Sequence, residues 1–179
     1  KIVKKAIVEK LKLSYRTDWF KETGAVYPIS FIIMKDKVQL MLDLSGEGLH
    51  KRGYRQKANL APLRETMAAA MVNLTRYKAG IPFWDPFAGS GTIVIEAAMI
   101  AANMAPGLKR SFISEQFGFL DPQGYKNARA AAAEKISKQP FMLAATDSDP
   151  AMKLLSERNA KLAGVDKHIK FGTMDVADL

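Results

Sequence analysis

The residues best suited to chemistry in this chain form a glycine-rich turn between an apolar run and a helix-like stretch. Residues 85–92 read Asp85-Pro86-Phe87-Ala88-Gly89-Ser90-Gly91-Thr92. Only a residue without Cβ turns the chain this tightly and leaves its amides open to a ligand. The pattern therefore favours close approach of the backbone to a nucleoside-bearing cofactor, although an ordinary strand-to-helix turn would have similar residues.

Two aspartates follow the next apolar run, residues 141–146. An acidic side chain at the end of a second parallel strand can accept hydrogen bonds from both hydroxyls of a ribose. Asp147 is the preferred ribose ligand. Asp149 precedes Pro150, so it is the second candidate, with helix N-cap as its alternative role.

The elements that must position these residues alternate between strand and helix after residue 80. The apolar periodicity predicts strands over 81–85, 141–146 and 168–173, and helices over 62–78, 92–104, 123–137 and 150–163. Such alternation builds a parallel sheet that binds ligands at the carboxyl ends of its strands. Residues 105–139 interrupt the simple alternation.

The first 80 residues carry the net charge. They hold 16 Lys and Arg against 7 Asp and Glu, whereas residues 81–179 hold 11 of each. A helix over 1–12 and a hairpin of strands 26–34 and 38–44 precede a basic loop. Clustered cations suit a polyanion such as RNA. In the loop, Lys51, Arg52 and Arg55 are interpreted as phosphate contacts and Tyr54 as a stacking surface; a solvated linker is the alternative.

Composition narrows the class of protein. The absence of cysteine excludes a disulfide framework and a thiolate zinc site, and His50 and His168 are too far apart in sequence to indicate a metal site. No apolar run reaches the roughly 18 residues of a membrane span, and the amino terminus lacks signal-peptide organisation. A cytoplasmic protein without a metal is expected.

Two motif blocks resemble a known family. The 85–92 turn followed by Ile95-Glu96-Ala97-Ala98 is similar to S-adenosylmethionine-dependent methyltransferases that act on exocyclic amino groups of bases. Residues 44–55 and Ala61-Pro62-Leu63-Arg64-Glu65 resemble the bacterial 23S ribosomal RNA guanine-N2 methyltransferases with an RNA-binding THUMP domain. Members of that group are often labelled as candidate N6-adenine-specific DNA methylases.

This resemblance implies an α/β fold: a Rossmann-like methyltransferase sheet, incomplete after its third strand, preceded by the end of a THUMP domain. The implied domains are 1–45 (THUMP part), 46–61 (basic linker) and 62–179 (cofactor-binding half). S-adenosylmethionine would contact residues 85–92, and its ribose would contact the Asp147-Ser148-Asp149 triplet. Its adenine amino group would contact Asp175, whose alternative role is that of a turn aspartate. Arg64 would hold the cofactor carboxylate.

One element expected from the resemblance is missing. Amino-group methyltransferases align the target amine with an Asn/Asp-Pro-Pro-aromatic element, but no Asp-Pro pair of this chain is followed by a second Pro. We expect that element to lie beyond Leu179, so that no catalytic residue is assigned and the chain alone is inactive. The expected reaction is methyl transfer to guanine N2 of 23S ribosomal RNA. Adenine-N6 methylation of DNA and a non-catalytic RNA-binding module are the alternatives, and the oligomeric state is not predicted.

Overall fold

A computed structural model describes residues 1–55 and 63–178. Among these residues, no helix is both long and apolar enough to span a bilayer. The elements in chain order are α1 (Ile2–Tyr15), β1 (Ile29–Met34), β2 (Lys37–Leu42), α2 (Glu65–Leu74), β3 (Phe83–Asp85), α3 (Thr92–Ala101), α4 (Pro122–Glu134), β4 (Leu143–Asp147), α5 (Pro150–Ala163) and β5 (Ile169–Thr173). The predicted start of the 62–78 helix and part of the 46–61 loop lie outside the described residues.

A three-stranded parallel sheet in the order β3-β4-β5 forms the second part of the chain. Asp85 pairs in register with Ala145, and Asp147 with Thr173, so the three strands end at one edge. The predicted parallel sheet is confirmed. Helix α5 has the predicted bounds, whereas α3 ends at Ala101 and the described part of α2 ends at Leu74, each earlier than predicted.

Helix α3 forms the centre of the hydrophobic core. Its residues are apolar apart from Thr92 and Glu96, and eight of its ten residues are buried. A helix with no polar face must be covered all round, and here α2, α5 and the sheet cover it. Ala68 of α2 and Ala97 and Ala98 of α3 are fully buried; their small side chains let the two helices approach closely.

The first 44 residues form a much less buried unit. Strands β1 and β2 pair antiparallel around Lys35 and Asp36, which both have positive φ, as a tight hairpin turn requires. Every residue of both strands is exposed, and α1 buries none of its residues. Tyr27 attaches this unit to the rest by stacking on Phe117, with ring centroids 4.5 Å apart.

The segment that interrupts the strand and helix alternation is hydrogen-bonded to the start of the basic loop. The buried guanidinium of Arg110 donates hydrogen bonds to the carbonyl oxygens of Ser45 (3.2 Å), Glu47 (2.6 Å) and Gly48 (3.0 Å). Nearby, the hydroxyl of Ser114 donates to the carbonyl of Leu44 at 2.7 Å. Arg110 is therefore the main tether of residues 45–48.

Replacing Arg110 with Met should lower the free energy of unfolding by about 3 kcal/mol, because three carbonyls lose a charged donor. Hydrogen exchange at residues 45–48 should accelerate. Lys126→Ala, which removes an exposed cation of α4, serves as the control and should stay within about 0.5 kcal/mol of the parent. Equal chemical-denaturation midpoints for the parent and Arg110→Met would contradict the tether.

Candidate functional site

The glycine turn between β3 and α3 is built from two glycines with different surroundings. Gly89 (φ 51°) and Gly91 (φ 79°) both adopt left-handed backbone conformations. A Cβ on Gly91 would lie 2.9 Å from the Cβ of Ser156, so this position is closed by α5. A Cβ on Gly89 would meet nothing within 4 Å. The turn is thus packed on one side and open on the other.

Asp147 joins this turn to the next one. Its Oδ2 accepts a hydrogen bond from the Gly89 amide at 2.8 Å, and its Oδ1 accepts one from the Asp149 amide at 3.0 Å. Its carbonyl accepts from the Met174 amide at 3.0 Å, after β5. Because each carboxylate oxygen has a further lone pair, the side chain can still accept hydrogen bonds from a ligand.

Asp149 has the alternative role foreseen for it. Its Oδ1 accepts from the Ala151 amide at 2.8 Å, and Pro150 occupies the first position of α5, so Asp149 is the N-cap of that helix. Ser148 is exposed between the two aspartates.

Asp85 lies buried at the end of β3. Burial raises the pKa of its carboxyl above the usual range, the hydrogen bond from the Phe87 amide opposes the shift, and the negative charge of Asp147 adds to it. A positively charged group beside Asp85 would relieve this desolvation and repulsion. Pro86 follows it, and the Phe87 side chain is 72% exposed at the outer face of the turn.

Two residues of α5 that were not predicted from the sequence support the glycine turn. The Asn159 side-chain amide donates to the carbonyl of Ser90 at 2.9 Å, and Ser156 packs on Gly91. Both are almost fully buried. Their spacing of three residues on a helix that otherwise buries alanine was the available signal.

Asp175 and Arg64 are less closely tied to the turn. Asp175 is exposed after β5 and accepts a hydrogen bond from the Ala177 amide at 3.0 Å, which is the turn-aspartate role. Arg64 is exposed at the N-cap of α2. In the part of the chain that the structure describes, no hydrogen bond or ion pair connects its side chain to residues 85–92.

The structure corrects the interpretation of Arg52, Tyr54 and Arg55 as an RNA surface. The Tyr54 ring is 2% exposed, so it cannot stack on a base, and its hydroxyl donates to Glu96 at 3.2 Å. The Arg52 and Arg55 side chains are 11% and 10% exposed, and they pair with Glu96 (3.6 Å) and Glu65 (2.9 Å). The charges of Arg52 and Arg55 therefore neutralise buried carboxylates inside the protein. Lys51 is exposed and pairs with the surface residue Glu47.

These four charges and Tyr54 form a buried ionic cluster. Burial raises the pKa of the Tyr54 phenol, and the negative charges of Glu96 and Glu65 raise it further. Burial also raises the pKa of Glu96, against the effects of Arg52 and Tyr54. Each carboxylate needs its guanidinium, since an unpaired buried charge is strongly destabilising. Over residues 1–55 and 63–178, no group of three or more His, Cys, Asp or Glu side chains is placed to hold a metal.

The fold and this turn define an α/β methyltransferase domain. Residues 52–179 match the family described as RMKL-like, methyltransferase domain, and the chain belongs to that family. It is 47% identical over 181 residues to YpsC of Bacillus subtilis (strain 168), named as a candidate RNA methyltransferase. It is 41% identical over 150 residues to the ribosomal RNA large subunit methyltransferase K/L of Vibrio parahaemolyticus serotype O3:K6 (strain RIMD 2210633).

The chain spans less than half of these relatives. It covers 47% of YpsC with 99% of its own residues, and 21% of the K/L enzyme with 81% of its own. A solved structure, that of SMU.472, a candidate methyltransferase in complex with SAH, superposes with a TM-score of 0.90 at 36% identity. That match covers 99% of this chain and 48% of the other.

The two glycines should respond differently to alanine. Both substitutions force a left-handed alanine, at about 1–2 kcal/mol, but only Gly91→Ala also drives a Cβ into Ser156, which adds about 1–3 kcal/mol. Urea denaturation should therefore show a clearly larger loss for Gly91→Ala than for Gly89→Ala. Equal losses would mean that α5 does not close on Gly91.

Proposed function

We propose that this chain forms the cofactor-binding half of an S-adenosylmethionine-dependent methyltransferase whose substrate is the exocyclic N2 of a guanine in 23S ribosomal RNA. The observation that carries the proposal is the Asp147 carboxylate, held 2.8 Å from the Gly89 amide beside the open side of the turn. Membership of the RMKL-like family and the SAH complex of SMU.472 support the cofactor. The names of the relatives support RNA as substrate.

The residues at the sheet edge fit the parts of this cofactor. The remaining lone pairs of Asp147 suit ribose hydroxyls, and the open position at Gly89 admits a ligand close to the backbone. Asp85 suits a positively charged group, because its carboxyl is buried and no cation of the described residues pairs with it. When bound, the cofactor supplies an electrophilic methyl group. Two further contacts stay predictions: that of Asp175 with the adenine amino group and that of Arg64 with the carboxylate of the cofactor.

The RNA partner is proposed from the basic first portion of the chain and from Lys51, since Arg52, Tyr54 and Arg55 are buried. We assign residues 1–45 to the end of a THUMP domain, 46–61 to a linker and 62–179 to the catalytic domain. The family match begins at residue 52, inside that linker.

The element that aligns the target amine is not supplied by residues 1–179 in this proposal. Each Asp-Pro pair has another role in the structure. Asp85-Pro86 opens the glycine turn, and Asp121-Pro122 and Asp149-Pro150 begin α4 and α5, with each aspartate as the N-cap. Alignment of reacting groups contributes several kcal/mol to barrier lowering, so transfer requires that further element.

Asp147→Asn and Asp149→Asn form a matched pair that tests the ribose assignment. An asparagine in place of Asp147 would present an amide donor where acceptors are needed, and loss of charged hydrogen bonds of about 1.5–3 kcal/mol each should weaken S-adenosylmethionine binding at least tenfold. Asn is as good an N-cap as Asp, so Asp149→Asn should keep the parent affinity. Isothermal titration calorimetry gives both dissociation constants, and the opposite ranking would reverse the two roles.

The proposed reaction is tested with tritiated S-adenosylmethionine. Residues 1–179 should bind the cofactor but leave unmodified 23S ribosomal RNA unlabelled, whereas a longer form with an Asn/Asp-Pro-Pro-aromatic element should label guanine N2. Duplex DNA is the parallel substrate. Label in adenine N6 of DNA would favour the alternative enzyme, and transfer by residues 1–179 alone would show that the aligning element lies within them.

A further inference from the structure

We propose that Arg55 is a positioning residue for the glycine turn, acting through Thr92, so that it sets the affinity for S-adenosylmethionine without touching the cofactor. This inference rests on the proposed cofactor role of residues 85–92. By sequence, Arg55 belongs to a basic loop expected to face RNA. Its side chain instead points into the protein, where it contacts the start of α2 and the start of α3.

The guanidinium of Arg55 makes one ion pair and two hydrogen bonds at these two helix starts. Its Nη2 lies 2.9 Å from Glu65 Oε2 at the start of α2. Its Nη1 donates to the carbonyl of Leu63 at 3.0 Å and to the hydroxyl Oγ1 of Thr92 at 3.3 Å. Because only 10% of the Arg55 side chain is exposed, water offers little replacement for these contacts.

Thr92 passes this contact to the turn. It is the first residue of α3, and its hydroxyl lies 3.1 Å from the hydroxyl of Ser90. The carbonyl of Ser90 is held from the opposite side by Asn159 of α5. In addition to the contact of Asp147 with Gly89, the turn is therefore held at Ser90, by α5 directly and by Arg55 through Thr92.

The need for an arginine separates positioning from simple charge balance. Glu65 needs only a nearby cation, which a lysine would supply. Serving Glu65, Leu63 and Thr92 together requires the planar fork of a guanidinium, which the single ammonium of lysine does not reproduce. Arg55→Lys therefore keeps the charge of the pair and loses the connection to Thr92.

Arg52 provides a matched control on the same loop. Its side chain is 11% exposed, it pairs with the buried carboxylate of Glu96 at 3.6 Å, and it donates to the carbonyl of Leu49 at 2.8 Å. Among the described residues, none of its hydrogen bonds or ion pairs reaches residues 85–92. Arg52→Lys perturbs a similar buried ion pair without disturbing the turn.

The experiment measures S-adenosylmethionine dissociation constants by calorimetry and melting temperatures for Arg55→Lys, Arg52→Lys, Thr92→Val and the Arg55→Lys/Thr92→Val double variant. Arg55→Lys should weaken binding by about five- to tenfold, the effect of one lost hydrogen bond. Arg52→Lys should keep the parent affinity even if it melts earlier. Thr92→Val should weaken binding, and adding Arg55→Lys to it should change the affinity by less than about twofold, because the shared contact is already gone.

Each contrary result has its own meaning. Parent-like binding by Arg55→Lys, or equal weakening by Arg52→Lys, would overturn the positioning role. Full additivity in the double variant would also overturn it, since Arg55 and Thr92 would then act independently. If Arg55→Lys fails to fold, parent-like binding by Thr92→Val would still overturn the inference. No binding by the unmodified chain would instead refute the proposed function, and the inference with it.

Discussion

The arrangement of the sheet edge depends on one carboxylate. Asp147 accepts amide hydrogen bonds from the turn after β3 and from the turn after β4, and its own carbonyl holds the segment after β5. The carboxylate thereby joins the first two turns, and backbone hydrogen bonds from Ala88 to Thr146 and from Met174 to Asp147 hold the three strand ends together. Loops carry function when a rigid scaffold positions them, and here one side chain of the middle strand links two of those loops.

The second constraint is the burial of charge beside α3. Glu65 and Glu96 each lie almost wholly inside the protein, paired with Arg55 and Arg52. Apolar residues in these places would pack without such a desolvation cost, so the pairs are weak evidence for stability. Their effect is to orient the loop, because a guanidinium donates hydrogen bonds in fixed directions. Arg55 holds the loop against α2, and Arg52 holds it against α3.

The sequence predicted the parallel sheet, the turn and the N-cap of α5 because each depends on local chemistry. Glycine pairs, Asp-Pro steps and apolar runs act within a few residues, so their meaning is readable along the chain. The direction of Arg52, Tyr54 and Arg55 was not readable, because it depends on Glu65 and Glu96 from other helices. A basic segment that lies on a binding surface and a basic segment whose side chains are buried can have the same sequence. Glu96, the one charged residue of α3, was a local sign that a buried cation was needed.

The tether made by Arg110 has an evolutionary consequence. Its three acceptors are backbone carbonyls, which every residue possesses. Ser45 and Glu47 therefore contribute to this attachment whatever their side chains are, provided that the loop keeps its path. Gly48 and Gly46 limit that path, because a Cβ at either would meet His50 or Ile113 closer than 3.0 Å. The side chains of Ser45 and Glu47 are therefore free to change during evolution and to suit a new binding partner, while the codon for Arg110 preserves the attachment of the loop to the domain.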